Sequence, residues 1–134
     1  MRTLSIYVLT ALACGLPLTA VAIEPPQLPT SAKKLTGKEI VDLQDGVTLT
    51  FKDYTTPTLL TGAVVHDFKN KSESGTFDYN GIKGQINSTV WVKEDMLCDL
   101  QPGKGDVCSF VYLDGSSFYN VGPDGKVRSV DTKQ

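Results

Sequence analysis

Eight short runs of alternating apolar and polar residues, parted by turn dipeptides, constrain this chain more than any other feature. The first, Val47-Thr48-Leu49-Thr50-Phe51, alternates without a break, which is the pattern of a half-buried strand. Others follow at Thr61–Phe68 around Val64 and Val65, at Gly75–Tyr79 with Phe77 and Tyr79 on one face, and at Gly84–Lys93. Met96–Leu100, Val107–Leu113, Ser117–Val121 and Lys126–Val130 complete the set. Asn80-Gly81, Asp114-Gly115 and Asp124-Gly125 stand between runs, and such pairs tolerate the positive φ that tight hairpins require. Tight turns make neighbours antiparallel. The fold class is therefore mainly β: an antiparallel meander closing toward a small barrel or sandwich, with one short N-terminal helix. The same alternation serves a filled barrel and a hollow one.

The helix start is well marked. Thr36 is the N-cap and Glu39 follows at capping-box spacing, with Leu35 and Ile40 at staple positions. Ile40, Val41 and Leu43 supply an apolar stripe, and Gly46 suits a helix stop. Two turns are too short to stand alone, so this helix must pack on the sheet.

Ahead of it the chain reads as an export signal and a spacer. Arg2, an uncharged apolar stretch from Leu4 to Leu18, and Ala20-Val21-Ala22 form the charged, apolar, small-residue layout of a secretory signal over 1–22. The apolar stretch is shorter than a bilayer span, and Pro17 interrupts it. Cys14 after Ala13 offers a lipid-anchor variant, the one route by which this protein would attach to a membrane. Residues 23–34, with Pro25, Pro26 and Pro29, read as an extended, mobile linker. Residues 35–134 form one β-rich domain, expected as a monomer.

Removing 22 of 134 residues leaves 112, enough for one domain with a modest core. The formal charge of −2 becomes −3 without Arg2, which argues against nucleic acid as a partner. Of three cysteines, Cys98 and Cys108 remain after the signal. An even pair in an exported chain points to one disulfide and an oxidising compartment, periplasmic or secreted. Nine residues intervene, which is not the spacing of a redox pair, and one histidine is too few for a zinc site. A bridge between the fifth and sixth runs closes a loop of about eleven residues, worth roughly 2.5–3 kcal/mol in the chain-entropy model.

Catalytic groups do not stand out. His66 precedes Asp67, but adjacent strand residues face opposite ways, so His66 reads as an exposed or edge-strand histidine. Glu94-Asp95 reads as turn chemistry. Asp106, Asp114 and Asp124 lack the spacing of a calcium loop. The expectation is no enzyme, no metal and no cofactor. Trp91, Phe110, Tyr112, Phe118 and Tyr119 concentrate in the last third and are the candidates for an apolar pocket or patch. Phe110 and Tyr112 share a face with Cys108, while Val107, Val111 and Leu113 share the other. Gln101, Lys104 and Asp106, in the loop bracketed by the cysteines, are the candidates for an interaction loop.

Three stretches carry a resemblance: Trp91-Val92 through Asp95, Leu97 and Cys98; Cys108 through Val111, Tyr112 and Asp114-Gly115; and Tyr119 through Gly122-Pro123-Asp124-Gly125-Lys126-Val127. Together with Leu35-Thr36-Gly37-Lys38-Glu39-Ile40, they resemble a group of small exported bacterial proteins known as a domain of unknown function. That resemblance implies a periplasmic or secreted protein with a lipocalin-like meander, and brings no activity or catalytic residue. A looser likeness, in architecture alone, is to small periplasmic inhibitors of lysozyme. The expected role is a non-catalytic cell-envelope or secreted binding protein with an apolar cavity for a small apolar ligand. The alternative is a protein-interaction or enzyme-inhibitor domain acting through the loop between Cys98 and Cys108.

Overall fold

A computed structural model of the chain describes residues 23–101 and 103–134. The expected export signal over 1–22, with its alternative of a lipid anchor at Cys14, falls outside the described residues. The elements in chain order are β1 (Lys33–Lys34), α1 (Gly37–Gln44), β2 (Thr48–Asp53), β3 (Leu60–Asp67), β4 (Ser72–Tyr79), β5 (Ile82–Lys93), β6 (Met96–Gln101), β7 (Gly105–Asp114), β8 (Ser117–Val121) and β9 (Val127–Lys133). All eight alternating runs are strands, with ends shifted by at most three residues.

The strands close into a barrel rather than a sandwich. β2 through β7 pair antiparallel in sequence, β9 lies between β2 and β8, and β8 pairs β7 to complete the ring. Turn chemistry agrees with the sequence: Asn80 and Gly81 both take positive φ, 56° and 83°. β1 is a ninth strand outside the ring and corrects the reading of residues 23–34 as linker throughout. Lys33 and Lys34 pair with Leu113 and Tyr112, on the edge of β7 beyond the stretch that β6 covers. The Leu35 N–H continues that pairing to the Val111 carbonyl.

α1 plugs one end of the barrel. The capping box is formed: the Thr36 hydroxyl accepts from the Glu39 N–H, and the Glu39 carboxylate accepts from the Thr36 N–H. Asp95 adds a second tie by accepting from the Gly37 N–H at 2.8 Å. At the other end the Gly46 N–H donates to the His66 carbonyl and Asp45 accepts from the Phe68 N–H, which docks the helix on β3. Position 37 has to be glycine, because a Cβ there would fall 2.2 Å from the Glu94 carbonyl oxygen. Under the helix sits the core: Leu35, Ile40, Leu49, Val64, Val111 and Phe118, all buried.

The other half of the barrel is hollow, for a reason visible in its side chains. On the inward faces of β3, β4 and β5 the register places Gly62 opposite Phe77, Gly75 opposite Val64 and Ile86, and Gly84 opposite Phe77. The Phe51 ring lies over Gly62 and the Phe77 ring over Gly84, with ring carbons 2.7 and 2.5 Å from where a Cβ would stand. The rings therefore line the wall instead of filling the centre. The wall also parts: β5 pairs β6 only from Val90 to Lys93. Below that point Ile82–Thr89 remains paired to β4 alone, and the Ser88 hydroxyl reaches the Leu100 carbonyl across the gap.

Candidate functional site

The hollow half holds a cavity of about 1310 Å³, large for a small-molecule site. It reaches the end of the barrel opposite the helix, where Thr55, Thr56 and Lys104 line it. Phe51, Leu60, Val64, Phe77, Tyr79, Ile86, Val90, Leu97 and Val107 give it apolar surface. The polar lining is concentrated in inward positions of seven strands: Asp53, His66, Glu73, Asp99, Ser109, Asn120, Arg128, Ser129 and Asp131. The cavity is thus amphipathic, where the sequence led us to expect an apolar one.

His66 is central to it. It is 2% exposed, which corrects the expectation of an exposed or edge histidine. Its alternation with Val64 turns it inward, and the register sets it directly opposite Glu73, whose Oε2 lies 2.8 Å from His66 Nε2. Asp67 faces the other way and caps the Phe68–Lys71 turn through Asn70. The orienting carboxylate is therefore the cross-strand neighbour, not the sequence neighbour.

A second polar group comes from β8 and β9. Asn120 Nδ2 donates to Ser129 Oγ and to Asp131 Oδ2, both at 2.8 Å. Burial pushes the Asp131 carboxyl up to about 6, against the opposing pull of the Asn120 hydrogen bond and of His66. Glu73 and Asp53 add like charge in the same direction. Asp99 is also raised, chiefly by burial, with the Gln101 amide pulling the other way. Arg128 is the cation set into the wall: its Nη1 donates to the Cys108 carbonyl and to Ser109 Oγ, both at 3.0 Å, so β9 grips β7 past β8. Two enclosed polar atoms of the lining, His66 Nδ1 and Asn120 Oδ1, have no partner among the described residues.

The disulfide joins Cys98 and Cys108, which stand directly opposite each other on β6 and β7 with Cα atoms 4.0 Å apart. Their strand neighbours Leu97, Asp99, Val107 and Ser109 all line the cavity, so the bridge staples the cavity wall from outside.

The sequence-based site residues separate. Phe118 is buried in the apolar core under the helix. Trp91, Phe110, Tyr112 and Tyr119 alternate with inward residues and lie on the outer face, partly exposed. Tyr112 stands opposite Tyr119, and the Lys34 ammonium sits 3.9 Å from the Phe110 ring centre. None of these five lines the large cavity. The loop between the cysteines is shorter than its composition implied: Gln101 closes β6, opposite Gly105, and Asp106 belongs to β7, opposite Leu100. Gln101 and Lys104 line the cavity, and Asp106 is exposed.

Sequence reasoning missed Glu73, Asp99, Asn120, Arg128 and Asp131. One signal was available. A turn centred on Phe68–Lys71 sets Asp67 against Ser72, and therefore His66 against Glu73. The β9 residues meet the others only through barrel closure, which no local pattern announces.

Comparison with known proteins returned no match: no family model, no curated protein and no solved structure resembles the chain closely enough to assign it.

Proposed function

We propose that this protein is a non-catalytic binding protein that carries a small amphipathic molecule inside its barrel. The observation that carries this reading is the cavity of about 1310 Å³, walled by apolar side chains and furnished inside with converging polar groups. Binding is favoured over catalysis by how the polar groups are engaged. Ser129 and Ser109 accept from Asn120 and Arg128, and His66 meets Glu73, so the hydroxyls stand apart from the base that would activate them. An oxidising compartment, periplasmic or extracellular, fits the Cys98–Cys108 bridge and the resemblance to small exported bacterial proteins.

The test uses an environment-sensitive apolar dye and native mass spectrometry of protein purified without denaturation. Wild type takes up the dye or retains a ligand adduct. Ser88→Phe and Ser129→Phe, which place a ring in the cavity, abolish uptake while circular dichroism shows an intact fold. Uptake unchanged in both variants would move the binding site elsewhere.

A second reading has its own observation. Leu100, beside the Gln101–Lys104 turn, is about half exposed (49%), on strands held rigid by the disulfide. A protein partner gripping this hairpin would be lost on replacing Gln101 and Lys104 by Ser, while dye uptake by the cavity persists.

A further inference from the structure

The inner lining of the cavity has an unbalanced chemistry. Four carboxylates line it, Asp53, Glu73, Asp99 and Asp131. Glu73 meets His66 at 2.8 Å, and among the described residues no basic side chain lies within ion-pair distance of the other three. Arg128 lends its Nη1 to a carbonyl and a hydroxyl, and Lys104 stands at the mouth. Each carboxylate has one hydrogen-bonding side chain, Thr55 for Asp53, His66 for Glu73, Gln101 for Asp99 and Asn120 for Asp131, but a buried carboxylate without a cation is only partly compensated for its desolvation. Burial already drives both Asp99 and Asp131 toward their neutral forms.

Hydrogen-bond accounting points the same way and is independent of charge. Asn120 Nδ2 is spent on Ser129 and Asp131, which leaves Oδ1, an acceptor, unpartnered in a side chain only 7% exposed. His66 is 2% exposed and its Nδ1 is unpartnered as well; that atom accepts in a neutral ring whose Nε2–H donates to Glu73 and donates in a charged one. The Asn120 oxygen, an acceptor in any protonation state, therefore calls for a donor. A metal ion is a poor candidate: among the described residues no three His, Cys, Asp or Glu side chains converge on one point. The space is also far larger than an ion needs.

We propose that the inner end of the cavity is a binding site for the ammonium group of an organic amine, received by Asp131 with Glu73 and Asp99 and by the acceptor face of Asn120. The apolar remainder of the amine lies along Phe51, Phe77 and Ile86. This rests on the reading of the cavity as a binding site and specifies its ligand. It also gives that site a pH response. The groups facing Asp131 are Asp53 on β2, His66 on β3, Glu73 on β4 and the Asn120 amide on β8, while Arg128 on its own strand acts on Asp99. Protonation of Asp131 removes a negative charge, so affinity for an ammonium falls as the pH drops through about 6.

The experiment compares three ligands with one tail, octylamine, octanol and octanoate, by titration calorimetry at pH 7.5 and 5. Octylamine should bind at least tenfold more tightly than octanol, with octanoate weakest, and should lose most of that advantage at pH 5. Asp131→Asn should weaken octylamine about tenfold at pH 7.5, leave octanol unchanged and flatten the pH response; Asp99→Asn is a second variant should the first fold poorly. Octanol or octanoate binding as well as octylamine overturns the amine assignment and leaves the cavity reading standing. Failure of all three ligands overturns both. A pH response retained in Asp131→Asn would assign it to His66 instead and overturn the role given to Asp131.

Discussion

The two ends of the barrel solve the problem of stability differently. At the helix end, apolar side chains fill the lumen: Ile40 and Leu49 are fully buried, and Val64, Val111 and Phe118 close around them. At the other end the side chains line the wall around a cavity, and glycine at positions 62 and 84 lets the Phe51 and Phe77 rings lie against it. There the wall is held by devices that need no core: a disulfide between β6 and β7, and the Arg128 clamp from β9 to β7. One half is stabilised by what it encloses, the other by how its rim is tied. A small domain with a modest core can keep a cavity only on such terms.

This contrast is breakable by substitution. Ile40→Ala, in the filled end, should cost about 2–5 kcal/mol by urea unfolding. A cost below about 1 kcal/mol would mean the helix is not the plug described. Asp131→Asn, in the hollow end, should act with the opposite sign. The folded-state value of about 6 lies above the ordinary aspartate value of 3.8. The native state therefore holds this proton more tightly than the unfolded chain does, and stability is lost as the pH rises through about 6. The variant should be more stable than wild type by up to about 3 kcal/mol at pH 8 and no different near pH 3. Thermal melts at the two pH values decide it, and equal shifts at both would remove the buried charge as the cause.

Replacing both Cys98 and Cys108 by Ser should cost about 2.5–3 kcal/mol. Hydrogen exchange should show the loosening concentrated in β6 and β7 rather than around α1. Smallest is Thr36→Ala, which removes the cap and should cost about 1 kcal/mol. Its effect belongs to the filled end and should leave ligand uptake unchanged.

How much of this was legible in the sequence follows the same division. The filled end was readable, because its determinants are local: the Thr36–Glu39 box, the Leu35 and Ile40 pair, and strict alternation in β2. The hollow end was half readable. Alternation located its strands, but alternation is blind to whether inward residues meet. Inward glycines in three consecutive strands were the overlooked hint that they do not. Asp131, Asn120 and Asp53 come together only through the closing contacts of β9 with β2 and β8, across long stretches of chain. β1 escaped notice because Lys33 and Lys34 have no strand pattern and pair only because β6 leaves the far end of β7 free.

The parting of β5 from β6 has a consequence beyond the pocket. Eight residues of β5 offer half of their main-chain donors and acceptors to no neighbouring strand of the ring. Such a border is a template on which a stray extended segment, or a second molecule, grows. Ile82 and Leu100, the two large apolar residues left exposed among the described residues, flank it. Against that hazard, the exposed Lys83, Gln85 and Asn87 alternate along this border and keep it wet, with Gln85 and Asn87 also lining the cavity where the wall parts. Truncating those three polar side chains is the change that most favours aggregation, by seeding sheet growth at a margin the fold already leaves unfinished.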